Sequence, residues 1–303
     1  MNGHADTASG VAPDFLRPKE VPVGRPKDIP VVSNGAPGEK PALAAQTAGA
    51  RTTSQWLASD GALRLYSLLG FLLLWQVAAV LAASSLLPLP STVFSRIGEE
   101  TLSLVLPNHL AVTLGRVSVA FVLAMLIGSI IGMAMGRWRL LDRLLDGWLV
   151  LGLNIPALVT IILCYIWFGL NDWAAIIAVA INKIPTVIVT VREGARAVDQ
   201  ELLRVAQAYR LSRWRTFSKV YLPQLVPYLM AASRAGLSLI WKIVLVVELL
   251  GRSNGVGFQI NVFFQFFDIA GILAYTLAFA AIVLLVEGVL LRPLERHLTR
   301  WRH

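Results

Sequence analysis

REGARAVDQELLRVAQAYRLSRWRTFSKVYLPQLVP, residues 192–227, is a long charged segment set inside an otherwise apolar chain. Seven of its residues are basic (Arg192, Arg196, Arg204, Arg210, Arg213, Arg215 and Lys219) and three are acidic (Glu193, Asp199 and Glu201). Each such charge at mid-bilayer costs at least about 2.5 kcal/mol, so this segment lies outside the hydrocarbon. Residues 198–208 have helix-forming composition, with Leu202, Val205, Ala206 and Tyr209 near one face. Ser212 is placed to cap a second short helix at Arg213, and Leu222-Pro223 to stop it. The expected form is two short helices with an exposed turn between them. Tyr209, Trp214, Phe217 and Tyr221 make it too aromatic for a plain solvated loop. Basic and aromatic side chains, Trp214 foremost, are the anchors of a surface on which a separate protein docks.

Outward from this segment the chain is apolar. Of 303 residues 56% are hydrophobic and 15% charged, against about 25% charged in a soluble domain. The mean hydropathy is +0.66. Apolar runs of about 20 residues match a hydrocarbon core of roughly 30 Å. Helices alone among open structures satisfy their own backbone there. The fold class is therefore all-α, a polytopic membrane protein with six expected spans at about 63–83, 111–136, 148–168, 173–191, 226–250 and 269–291. Pro88 and Pro90 end the first span, and Ser91 or Thr92 is placed to cap a short interfacial helix reaching about Leu106. Gly128, Gly132 and Gly136 share one face of the second span, where helix backbones approach closely. Packing within the subunit is favoured there over contact with a second copy. The aromatic stretch 258–267 lies at, or re-enters, the membrane surface.

Six spans place both termini on one side. The loops at 137–143 and 192–219 and the tail at 292–303 hold 3, 7 and 4 basic residues, while the opposite loops hold Arg96, none and Arg252. Basic residues collect on the cytoplasmic side, so both termini are expected to be cytoplasmic. The net charge of +9 is accounted for by these loops and requires no nucleic acid. Residues 1–55, rich in Pro, Gly and Ala without an apolar period, are expected to form a disordered cytoplasmic tail, and residues 56–303 the membrane domain with its loop at about 192–225. No apolar run follows Met1, so no signal peptide is expected. The GAPGEK at 35–40 fails the spacing of a phosphate loop. Cys164, the single cysteine, reads as a packing residue, and no metal site is expected.

Arg116, Lys183, Arg234, Lys242, Glu248 and Glu287 fall within or near spans. Such residues face a cavity or a partner. Lys183 and Lys242 sit about halfway along their spans and are candidates, with Glu248 and Asn154, for a translocation path suited to an anion. Against this stands pairing of each charge with another. Lys242 and Glu248 are six apart and share no helix face, so any pairing runs between helices. Arg116 and Arg234 lie near span ends, where a long side chain snorkels. Asn154 and Pro156 open a polar kink or merely bend the third span.

The segment resembles the coupling loop of the permease subunits of binding-protein-dependent ABC importers, and within them the nitrate, sulfonate and taurine group. That loop has a Glu-Ala-Ala triplet, a glycine four positions after its second alanine, and an Ile-x-Leu-Pro ending. Here the ending is VYLP at 220–223, the triplet falls on Arg204, Val205 and Ala206, and the glycine position on Arg210. Ala206, Leu222 and Pro223 match; Arg204, Val205, Arg210 and Val220 depart. A residue other than glycine at 210 takes a left-handed turn with difficulty, which suggests a different bend. LPLPSTV at 87–93, HLAVTLGR at 109–116, WFG at 167–169, VDQELL at 198–203, ELLG at 248–251 and GVG at 255–257 are similar to the group's motifs in order and spacing, covering about 62–302.

The resemblance implies a type I importer permease in a bacterial inner membrane, two such subunits lining one path, a homodimer being favoured. It implies two ATPase subunits that bind ATP and Mg, each receiving the loop residues Arg204, Val205, Ala206, Tyr209, Arg210, Leu211, Ser212, Arg213, Trp214, Leu222 and Pro223. It also implies a periplasmic or lipid-anchored binding protein and a small anionic substrate such as nitrate, a sulfonate or taurine. No cofactor is expected in this chain, and membrane lipid is its solvent. An ion-coupled secondary transporter predicts a repeat between halves, and none is evident. An intramembrane enzyme needs a motif such as H-E-x-x-H or G-x-S-x-G, and neither occurs. The chain is not expected to be an enzyme.

Overall fold

The computed structural model describes residues 60–84, 86–291 and 293. The expected tail at 1–55, and the basic tail at 292–303 apart from Pro293, lie outside them. All regular structure among the described residues is helical. Helix α1, Asp60–Ala82, carries the first span and is tied to the turn beyond its C-terminus, with Trp75 Nε1 donating to Pro88 O at 3.2 Å. All of its leucines but Leu72, which is half-buried, are exposed, as lipid-facing side chains are. Helix α2, Pro90–Leu102, begins at the proline itself rather than after a Ser91 or Thr92 cap, because Pro90 has the φ of a first helical residue preset. It ends at Leu102 and not near 106. Ser103 and Leu104 (φ 60°) turn the chain directly into α3, Val105–Arg137, which is longer than the expected second span.

The third span is not one helix. Helix α4, Arg139–Asn154, and helix α5, Ala157–Phe168, meet at 97°. Ile155 precedes a proline and is held extended, so the polar kink at Asn154–Pro156 is a break. The residues expected as a loop at 139 and 143 therefore begin α4. Helix α5 alone spans about 18 Å, too short to cross by itself. Gly169 (φ 79°) and Asn171, whose side chain accepts from Ala174 N–H at 2.8 Å, turn the chain into α6, Asp172–Arg196.

Helix α6 is the centre of the molecule, packed between α3 and α9, Leu222–Gly251. In lipid there is no hydrophobic drive between helices, so close van der Waals packing of small residues holds them. A Cβ added at Gly128, at Gly132 or at Gly136 would collide with Val187, with Ile188 O and Val191, or with Ala195. The glycine face thus packs inside the subunit. Helix α6 ends at Arg196 rather than Val191. Arg192 reaches Asp146 at 2.7 Å, and Arg196 reaches Asp142 at 2.5 Å, so two arginines of the expected loop tie α6 to α4. Helix α10, Val256–Gln265, covers about 15 Å and does not cross; Phe264, Phe266 and Phe267 at its end are exposed. Helix α11, Ile269–Val286, carries the last span and runs into a π turn at Glu287–Leu291. Tyr275 donates to Glu100 at 3.1 Å and Trp241 meets Phe279 edge-on at 5.7 Å, joining α11 to α2 and α9. Among the described residues five helices are long and apolar enough to cross a membrane, six if the bent pair α4–α5 is one broken span.

Candidate functional site

The loop between α6 and α9 forms as two short helices, α7 at Gln200–Ala208 and α8 at Arg213–Thr216. Asp199 caps α7 by accepting from Glu201 N–H at 2.7 Å, and Ser212 caps α8 by accepting from Arg215 N–H at 3.3 Å. Between them Arg210 does take the left-handed conformation, with φ 48°. Leu211 N–H donates to Ala206 O at 3.0 Å and Arg210 N–H to Gln207 O at 2.9 Å. These two bonds close a Schellman turn. They satisfy the end of α7 and hold a residue other than glycine where glycine is easiest. The expected different bend is therefore not found.

Nor do Leu222 and Pro223 stop the second helix. Helix α8 passes through a π turn, Phe217–Tyr221, into α9 as one run, Arg213–Gly251. The wider turn already departs from i→i−4 bonding, so Pro223 falls in a first turn where its missing N–H is not needed. Leu222 and Pro223 are half-buried at the root of the loop, and Ala206 is buried against the protein. Asp199 N–H donates to Gln224 Oε1 at 2.9 Å, fixing the root. Outward the loop presents Leu202, Val205, Tyr209 at 79% exposure, Leu211 and Trp214 at 74%. Arg204, Arg210, Arg213 and Arg215 are exposed beside them. Trp214 is backed by Phe217 at 6.0 Å, itself stacked on Tyr221 at 5.8 Å. The surface is a rigid aromatic ridge with a basic rim.

A cleft of about 650 Å³ runs along α9 and α11. Arg234, Ser238 and Lys242 line it from α9, and Thr276 and Glu287 from the other wall. Lys242 is exposed there, and among the described residues no carboxylate lies within ion-pair distance of it. Lys183 is not in the cleft. It is 1% exposed and passes under Gly236, its ammonium 3.5 Å from Ala235 O. Asn154 is elsewhere again, exposed at the end of α4 and donating to Val150 O at 2.7 Å.

Glu248 belongs to a third place. It is fully buried, and its carboxylate accepts from Arg116 Nη1 at 2.6 Å, Gly257 N–H at 2.9 Å and the Thr113 hydroxyl at 2.9 Å. The Thr113 oxygen accepts in turn from Val256 N–H at 2.9 Å, and His109 Nδ1 from Gly255 N–H at 3.0 Å. Arg116 is 5% exposed and also binds Asp172 Oδ1 at 2.6 Å, Asn254 O at 2.9 Å and Asn254 Oδ1. The snorkelling expected of Arg116 does not occur: carboxylates from two other helices hold it inside. Gly255 (φ 106°) lies so close to the Glu248 carboxylate that a Cβ there would strike it. The first N–H groups at the start of α10 are thus taken, Gly257 by the carboxylate itself and Val256 and Gly255 by Thr113 and His109 beside it. Sequence reasoning singled out 109–116, 248–251 and 255–257 as separate motifs, and the structure shows that they are one network.

The family model for the inner membrane component of binding-protein-dependent transport systems matches residues 103–300. Among curated relatives, the putative aliphatic sulfonates transport permease protein SsuC of Bacillus subtilis is 31% identical over 232 residues, covering 76% of this chain and 84% of the relative. The taurine transport system permease protein TauC of Escherichia coli is 30% identical over 233 residues, covering 75% and 84%. The bicarbonate transport system permease protein CmpB of Synechococcus elongatus is 28% identical over 253 residues, covering 79% and 88%. Among solved structures, an inward-facing MetNI methionine ABC transporter chain superposes with a TM-score of 0.57 at 17% identity, covering 66% of this chain and 98% of that one. The fold is therefore that of an ABC importer permease. With the family model matching well over half its length, the chain belongs to the inner membrane components of binding-protein-dependent transport systems.

Proposed function

We propose that this permease subunit imports a small anion, and that its α7–α8 loop receives the ATPase stroke. The observation that carries the coupling half is the exposed Tyr209–Trp214 ridge, rigidly rooted by a Schellman turn and a π turn. An aromatic pair this exposed beside a basic rim suits a groove on a protein partner. Two ATPase subunits supply ATP and Mg, a second copy of this chain completes the path, and a binding protein delivers substrate. The loop and both termini then face the cytoplasm of a bacterial inner membrane, as the basic loops require. Support for an anion comes from Lys242 and Arg234 on one wall of the α9–α11 cleft, and from relatives named for sulfonates, taurine and bicarbonate. Lys183 stands behind this wall, buried beneath Gly236, while Glu248 anchors α10 at a separate place.

The test is the Trp214→Ala/Arg213→Ala variant expressed with its cognate ATPase. Co-purified ATPase is expected to fall at least tenfold, and binding-protein-stimulated ATP turnover to be lost with it. Unchanged recovery and stimulation would remove the loop from the interface. Transport by the chain alone, driven by an ion gradient, would overturn the ABC reading.

A further inference from the structure

A second cleft, of about 590 Å³, opens where the end of α3, the start of α4, the end of α6 and the first residue of α7 meet. Gly136, Arg139, Asp142, Arg143, Arg196 and Gln200 line it. Its carboxylate is already engaged: Asp142 binds Arg196 at 2.5 Å and Arg192 at 3.3 Å. Arg139 and Arg143 are four apart on one face of α4, and among the described residues neither makes an ion pair or side-chain hydrogen bond. Arg196 is shared between Asp142 at 2.5 Å and Glu193 at 3.1 Å, which leaves Arg139 and Arg143 as the uncompensated charges of the cleft, and the free N–H groups of the first turn of α4 add their partial positive charge. The rim is therefore built for an anion.

The neighbouring face of the same helix says where that anion comes from. Leu140, Leu144 and Trp148 of α4, with Trp138 just before it, are all exposed. The first turns of α4 are amphipathic with an apolar outer face, which suits the start of the helix to the membrane interface while its far end leads on into α5. Tryptophans at headgroup level anchor such helices. With Leu140, Leu144 and Trp148 among acyl chains, Arg139 and Arg143 stand at the depth of the phosphates.

We infer that this cleft is a binding site for the phosphodiester headgroup of an anionic phospholipid, clamped by Arg139 and Arg143 with Arg196 behind them. Guanidinium pairs suit a phosphodiester because their planar donors match two of its oxygens. The site is separate from the path cleft, and it touches the loop only through Gln200.

The full-length permease, reconstituted in phosphatidylcholine containing a minor fraction of photoactivatable phosphatidylglycerol, tests this. Adducts are expected to concentrate on peptides covering 138–148. Arg139→Gln/Arg143→Gln should lower that labelling by about fivefold per arginine removed, while labelling by photoactivatable phosphatidylcholine stays level and reports an intact fold. Arg139→Lys/Arg143→Lys should keep the larger part of it, and Arg204→Gln/Lys219→Gln, which removes equal charge elsewhere, should leave it unchanged. Equal labelling in the glutamine variant, or an equal loss in the 204/219 control, would overturn the site. Loss of labelling when millimolar inorganic phosphate is present during photolysis would assign the cleft to a soluble oxyanion and overturn the lipid.

Discussion

Glu248→Ala strips the buried Arg116 of one carboxylate and leaves the Gly257 N–H and the Thr113 hydroxyl without that acceptor. Breaking one side of a buried ion pair costs about 3–5 kcal/mol, whereas replacing both sides by apolar groups costs far less. The Glu248→Ala permease is therefore expected to unfold at markedly lower temperature in detergent, and Arg116→Met/Glu248→Met to recover part of that loss. Strict additivity of the two single changes would show that the contact contributes nothing. At Arg210 the expectation has the opposite sign. A left-handed non-glycine residue carries roughly 1–2 kcal/mol of strain, so Arg210→Gly should stabilise the loop by about 1 kcal/mol, seen as slower proteolysis between α7 and α8. Faster cleavage would mean that the guanidinium, not the backbone, holds the turn. The position itself was legible only through the resemblance, by counting back from VYLP to the place where the family's loop has its glycine. Whether Arg210 would adopt it was not, because the bonds that enforce the turn reach back to Ala206 and Gln207.

Between elements, the decisive contact is α3 on α6. Gly132 sits where an added Cβ would lie 2.9 Å from both Ile188 O and Val191 Cβ. Overpacking of this kind costs about 1–3 kcal/mol, and here backbone must move. Gly132→Leu should lower the thermal midpoint, while Gly115→Ala on the same helix, with nothing within 4 Å of the new Cβ, should be neutral or stabilising. If both change stability alike, helix propensity rather than close approach governs the site. The four-residue glycine spacing showed this face in the sequence, since helical period alone puts Gly128, Gly132 and Gly136 in line. The 97° break at Asn154–Pro156 was harder. A proline inside an apolar run signals a kink, but its size depends on where α4 is held, and Arg192 and Arg196 hold it through Asp142 and Asp146. Those partners are about 50 residues apart.

For the whole molecule, the cleft along α9 and α11 makes a transport prediction. Among the described residues no carboxylate pairs with Lys242 there, so on the proposed anion path Lys242→Gln should lower ATP-driven uptake of the small anion by about tenfold, equivalent to ~1.4 kcal/mol, with Lys242→Arg less affected. Proteoliposomes holding the permease, its ATPase and its binding protein would measure this. Undiminished uptake would place the anion's path elsewhere.

The sequence by itself determined that the chain is a helical membrane protein and roughly which runs form its apolar helices. Those properties follow from runs of apolar residues, helical period and local capping, all of which act over neighbouring positions. Only the tertiary structure decided which membrane charges are paired. Lys242, Lys183 and Glu248 looked alike as isolated ionisable residues in apolar runs. One lines an open cleft, one lies buried beneath Gly236, and one is held by Thr113, Arg116 and Gly257. Burial and pairing belong to contacts between helices distant in the chain, and no local pattern encodes them.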